Sequence, residues 1–229
     1  MAYKLVYLAR RAKTVAWEDW PRTWKSHAVF ASQFPAMAGT IDWMRYTVRI
    51  DDPRFAALPV STAHDGVCVA QAQDLETLRG EGFSPDQRAL IDADELRVFD
   101  RYTPEFTFWC TETPIREGRL GEAAVFRFLA RRPDVPRAAF ERHLLDTCRE
   151  AAVQSPAATR WVLNTTIEPP PADFPFEAIE ECWFASAEEA ARSLEAPSAS
   201  ALAEGFATVC DAAHTVTMLT RPTHRWPKD

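Results

Sequence analysis

A five-residue string written twice constrains this chain more than any other feature: Tyr7-Leu8-Ala9-Arg10-Arg11 returns 121 positions later as Phe128-Leu129-Ala130-Arg131-Arg132. Self-similarity at about half the chain length points to one structural unit used twice. A polar link and a helical pattern follow each copy, Trp20, Trp24 and His27 in the first and Phe140, Leu144 and Thr147 in the second. Spacing of i, i+4, i+7 puts each triplet on one helix face. Extended segments come next, Arg45-Tyr46-Thr47-Val48 and Arg160-Trp161-Val162-Leu163, rich in the β-branched and aromatic residues that suit a pleated sheet. Proline-bearing loops lead to third strands at 66–71 and 178–184, and helices start at Asp74 and at Ser186. Ser186 is a natural N-cap, with Glu189 completing a capping box. Fourth strands at 106–111 and 215–220 close the halves.

The order β-α-β-β-α-β, written twice, is that of the ferredoxin-like unit, whose two helices cover one face of a four-stranded antiparallel sheet and leave the other face bare. Two fused units cover each other. The expected fold is therefore α+β, with two ferredoxin-like βαββαβ repeats packed sheet-on-sheet as a pseudodimeric α+β barrel. Residues 1–117 form the unit that keeps His27, and 118–229 a degenerate second unit. The join, Arg116-Glu117-Gly118-Arg119, is short and is no Ser/Gly/Pro-rich spacer.

Composition narrows the partners. The 229 residues are 47% hydrophobic, enough for a large core. A formal charge of -7 without a Lys/Arg block argues against nucleic acid and anionic membrane. No apolar run approaches the ~20 residues of a bilayer-spanning helix, and the N-terminal segment lacks a signal peptide's apolar core, so a cytoplasmic protein is expected. The five cysteines are odd in number, with no C-x-x-C pair, and read as reduced thiols. The seven glycines form neither G-x-G-x-x-G nor a P-loop, and G-x-S-x-G and H-E-x-x-H are absent. No metal site is expected.

Three stretches resemble the EthD-like branch of the dimeric α+β barrel superfamily: the helix WEDWPRTWKSHA with Trp20, Trp24 and His27, the strand start Asp65-Gly66-Val67, and the acidic-aromatic helix end DADELRVFD at 92–100. The second half matches more loosely, with Thr147 in place of His27 and Ala178 in place of Gly66. The resemblance implies a pocket for phenolic or lactone compounds, in a superfamily that includes cofactor-free cyclases, isomerases and lyases as well as haem-using oxygenases.

His27 leads the candidate residues, because an imidazole on a buried helix face is available as a base near neutral pH. A core histidine bonded to backbone is the competing explanation. Tyr46, on the strand beneath that helix, is a candidate donor to a developing oxyanion, against ordinary sheet packing. Substrate contacts are expected from Trp20, Trp24 and Trp43 as aromatic walls, from Arg49 as an anion anchor, and from Cys68 and His64. The expected activity is a cofactor-independent lyase or isomerase acting on a small aromatic or lactone substrate. The alternatives are a ligand-binding accessory protein or a polyketide-cyclase-like enzyme, with a haem site behind them. The expected partners are a small aromatic or hydrophobic ligand and a second copy in a homodimer.

Overall fold

The computed structural model describes residues 3–35 and 41–226. Alternation of apolar side chains sets eight strands: β1 (Tyr3–Ala9), β2 (Ile41–Arg49), β3 (Gly66–Ala72), β4 (Thr107–Arg116), β5 (Ala123–Ala130), β6 (Ala158–Thr166), β7 (Phe176–Phe184) and β8 (Val216–Trp226). The longer helices are α1 (Trp20–Ala31), α3 (Pro85–Val98), α4 (Arg137–Gln154) and α6 (Pro197–Ala207), with α2 (Leu75–Arg79) and α5 (Ala187–Glu195) as short leaders. Where one helix per half was expected after the third strand, two stand in series. Gly80, at φ 69°, ends α2 in the left-handed region that glycine tolerates, and Ser84 with Gln87 restarts the chain as a capping box ahead of Pro85. At α5 the Ser186 hydroxyl accepts from the Glu189 amide, which is one half of the expected box.

The strands close into one antiparallel barrel in the order β1-β3-β2-β8-β5-β7-β6-β4. Each half contributes a four-stranded sheet with the ferredoxin-like arrangement, and both fourth strands run past their expected ends. Thr107–Thr111 of β4 pair with β1, and Cys110–Arg116 continue along β6; β8 likewise pairs first with β5 and then with β2. The two sheets thus face one another and are also stitched together along both edges, which leaves no open strand edge.

The interior is packed from both halves. Phe108 of β4 meets Phe128 and Phe176 across the barrel, at ring separations of 5.8 and 5.9 Å. Deeper in, Lys4 is fully buried and its ammonium donates to Glu112 and Glu181, each at 2.6 Å. Trp183 Nε1 and Asn164 Nδ2 donate to the same Glu181 carboxylate, at 2.6 and 3.0 Å. A buried charge is tolerable only when so paired. No helix among the described residues is long and apolar enough to cross a membrane.

The structure aligns the two halves one residue away from the match of the two strings. Arg11 bridges Phe99 and its guanidinium donates to the Val15 carbonyl, whereas Arg131 bridges Cys210 and donates to the Val135 carbonyl. Arg11 therefore corresponds to Arg131, a spacing of 120 rather than 121, which is also the spacing of the two helix triplets. A one-residue slip exchanges the two faces of a strand. The counterpart of Tyr7, which faces the helices, is Arg127; Phe128 faces the barrel interior.

Candidate functional site

The helix-covered face of the first half carries the polar groups. Register places Cys68 of β3 between Tyr7 of β1 and Tyr46 of β2. Trp24 descends from α1 onto this row: its Nε1 donates to the Tyr7 hydroxyl at 3.1 Å, and its ring meets Tyr46 edge-on at 5.4 Å. Gly66 is glycine because a Cβ there would stand 2.4 Å from the Trp24 ring and 2.5 Å from the Thr47 carbonyl. Trp20 stacks on Trp24 at 4.8 Å, and both indoles are fully buried. Burial pushes the Tyr7 and Tyr46 hydroxyls and the Cys68 thiol well above their ordinary pKa values, so all three stay protonated at neutral pH.

One turn beyond Trp24, His27 is buried, and its Nδ1 lies 2.7 Å from Oδ2 of Asp94 on α3. The His27 hydrogen bond, aided by Arg97, holds the Asp94 carboxyl down at about 2. An ionised carboxylate at Nδ1 keeps the proton on that nitrogen and leaves Nε2 as the basic one. The imidazole borders a cavity of about 120 Å³ whose walls include Tyr7, Met44, Tyr46 and Trp109. Met44 and Tyr46 also border a second cavity of about 140 Å³ between α1 and the end of β8. There His224 stacks on Tyr46 at 4.0 Å, its pKa lowered to about 3 by burial and by the charges of Lys25 and His27.

The structure packs Trp20, Trp24 and Cys68 beside His27 and Tyr46. The two indoles and the thiol are fully buried and line neither cavity, so they are packing residues and not the expected substrate contacts; three other expected contacts lie elsewhere. Trp43 points into the barrel, where the Lys4 ammonium sits 5.4 Å from its ring, because period-2 alternation puts it on the face opposite Tyr46. Arg49 lies at the strand end, stacked 4.7 Å over Trp17 and donating to the Thr62 carbonyl. His64 borders a different cavity with Arg10 and Arg101. Sequence reasoning passed over Tyr7, Asp94 and His224. Asp94 lies within the acidic-aromatic helix end already singled out, which was the available signal.

The second half has the same layout without the chemistry. Where the first half has Tyr7, Cys68 and Tyr46, it has Arg127, Glu180 and Leu163, and Arg127 and Glu180 form a buried ion pair. Leu163, not Trp161, stands in Tyr46's place. Thr147 replaces His27, and the position of Asp94 is taken by Gly205, where a Cβ would meet Thr147 at 2.5 Å. Thr147 borders a cavity of about 90 Å³ with Glu150, Ala151 and Gln154, and a void of only about 20 Å³ lies beside Arg127.

Among the described residues no group of three His, Cys, Asp or Glu is placed to hold a metal ion. A haem does not fit beside His27: its cavity is comparable to the ~150 Å³ void known to admit one benzene ring, and Tyr46 stacked on His224 walls it off from its neighbour.

No protein-family model and no curated relative matches the sequence. Solved structures do match in fold. A candidate monooxygenase from Fusobacterium nucleatum is 7% identical, with 98% of this chain and 93% of that one covered at a TM-score of 0.62. An anthrone oxidase-like protein is 11% identical, with 98% and 92% covered at 0.65. A variant chlorite dismutase from Candidatus Nitrospira defluvii is 10% identical, with 97% and 92% covered at 0.52. Likeness at this identity establishes the shared architecture, that of the dimeric α+β barrel proteins. It also corrects the expected lyase or isomerase, together with its binding-protein and cyclase alternatives, because these neighbours are named for oxidoreductase chemistry.

Proposed function

We propose that this protein is an oxygen-consuming oxidoreductase of monooxygenase type, acting on a small aromatic substrate whose C–H bond is acidified by conjugation to a carbonyl. The observation that carries the reading is the His27–Asp94 pair, at 2.7 Å, on the rim of an aromatic-walled cavity. One ring of the substrate occupies that cavity beside His27, and the rest projects from its mouth. His27 Nε2 removes the proton while Asp94 stabilises the imidazolium. Tyr46 and Tyr7, kept protonated by burial, donate to the oxyanion that develops on the conjugated carbonyl. The carbanion passes its electrons to dioxygen and forms a C–O bond. The imidazolium returns its proton to the peroxide, the O–O bond breaks, and loss of the second C–H proton leaves a carbonyl and water. The balance is a methylene plus dioxygen giving a ketone plus water.

We further read the chain as a fused pair of EthD-like units, 1–117 and 118–229, of which the first carries the activity. The common element order and the 120-residue spacing of Arg11 and Arg131 support this. The five buried free thiols fit a reducing compartment such as the cytoplasm. A homodimer would use the outer surface, because one chain already closes the barrel, and sizing chromatography measures it.

The test is oxygen uptake with anthrone as the probe. Uptake matching ketone formed, falling at least 100-fold in His27→Asn, is the expected result. No uptake by the wild type, or full activity in His27→Asn, overturns the proposal.

A further inference from the structure

A further cavity, of about 220 Å³, opens at the end of the barrel where β1 finishes and β3, β7 and β8 begin, and it shares no lining residue with the cavity beside His27. Its chemistry is cationic on one side and apolar on the other. Arg10 follows directly on β1 and is anchored through Nε to the Ala63 carbonyl at 2.9 Å. Arg101 lies 5.4 Å over the Phe174 ring. Between them sits His64, 5% exposed, whose buried Nδ1 has no hydrogen-bond partner among the described residues. Phe174 and Phe176 form the apolar wall.

A buried polar atom without a partner costs stability unless something completes it. Burial and the two guanidinium charges push the His64 imidazole down to about 4, so at neutral pH it is uncharged and able to donate from Nδ1. Asp65, the carboxylate nearest in sequence, is turned away and bound to Arg11 through the backbone amide and the guanidinium. Asp100 lies 3.7 Å from Arg101 and is itself held up by burial. Among the described residues, the one carboxylate that lines the cavity is that of Asp173, 75% exposed, which reaches Arg101 at 3.1 Å. An exposed side chain held by a single arginine is readily displaced.

We propose that this mouth is a second ligand site for a small organic carboxylate with an apolar body. The carboxylate bonds Arg10, Arg101 and His64, displaces Asp173 from Arg101, and leaves the body against Phe174 and Phe176. Two arginines lining one cavity offer the forked donors that suit the planar, two-oxygen geometry of a carboxylate.

The experiment titrates benzoate into the full chain by calorimetry, with the His64 ring resonances followed in parallel by NMR. Saturable binding that perturbs His64 is expected, weaker by about tenfold in Arg101→Gln, tighter in Asp173→Asn, and unchanged in His27→Asn. Inorganic phosphate at the same concentration should compete poorly. Three outcomes overturn the proposal: no saturable binding, binding lost with His27→Asn but retained in Arg101→Gln, or phosphate outcompeting benzoate. The Asp173→Asn arm keeps the test decisive should Arg101→Gln fold poorly, because a side chain that plugs the site must loosen its hold when its charge is removed.

Discussion

Replacing Asp94 by asparagine keeps its shape and removes its charge, so it separates what the carboxylate does from what the side chain fills. Moving that carboxyl from its ordinary 3.8 down to about 2 corresponds to roughly 2.4 kcal/mol at 1.36 kcal/mol per decade. The side chain is 17% exposed and shares its charge with the half-exposed Arg97, so solvent screening brings the expectation to about 1–2 kcal/mol. The pH dependence fixes the sign. A carboxylate with a depressed folded-state pKa contributes stability above about pH 3.8, and that stability is lost as the pH falls through 3.8 toward 2. Urea unfolding of wild type and Asp94→Asn should therefore differ by about 1–2 kcal/mol at pH 7, with the gap reduced by about half at pH 3. The same substitution should lower kcat/KM for oxygen uptake by ~10–100-fold, because the developing imidazolium loses its counter-charge. Equal stabilities at pH 7, or a gap that does not change with pH, would refute the argument that His27 holds Asp94 ionised.

Other consequences follow from the packing. Gly66→Ala forces a Cβ against both the Trp24 ring and the Thr47 carbonyl, and should cost about 1–3 kcal/mol, read as a melting temperature lower by roughly 2–12 °C. Lys4→Met leaves Glu181, fully buried, without its cation, at a cost of about 3–5 kcal/mol by chemical denaturation.

The architecture was legible because it rests on short-range patterns. Period-2 runs marked the strands, i, i+4, i+7 triplets marked α1 and α4, and Asp74 and Ser186 announced their helices by capping. The site was legible only in part, because its pairings are long-range. Asp94 meets His27 across 67 residues, and no periodicity links them. His224 reaches Tyr46 only because β8 runs on past its expected end to pair with β2. Tyr7 was hidden by alignment: matching the two LARR strings letter for letter placed it opposite Phe128, one residue off, and so on the wrong face. Trp43 and Arg49 were drawn toward the pocket by residue type, whereas alternation sends Trp43 to the interior and the strand end carries Arg49 out to Trp17.

The two halves solve one packing problem in different ways, and the difference says which half can be altered freely. Beneath α1, Trp24 covers Gly66 and two tyrosines flank a cysteine, an arrangement that leaves a cavity with polar atoms on its wall. Beneath α4, the smaller Leu144 and Ala178 belong to one apolar core, and the Tyr7–Cys68 contact becomes the Arg127–Glu180 ion pair, sealed from solvent on the glutamate side. A buried ion pair is costly to break and cheap to replace whole. Arg127→Met alone should destabilise by about 3–5 kcal/mol, because it strands Glu180, while Arg127→Met with Glu180→Met should restore wild-type stability or exceed it by about 1–4 kcal/mol. Neither group touches the His27 cavity, so the double variant should keep full oxygen uptake. A double variant as unstable as the single one would mean that the pair is needed for the fold itself. A stable double variant that has lost activity would mean that the second half contributes to catalysis, which Thr147 and Gly205, standing in the places of His27 and Asp94, argue against.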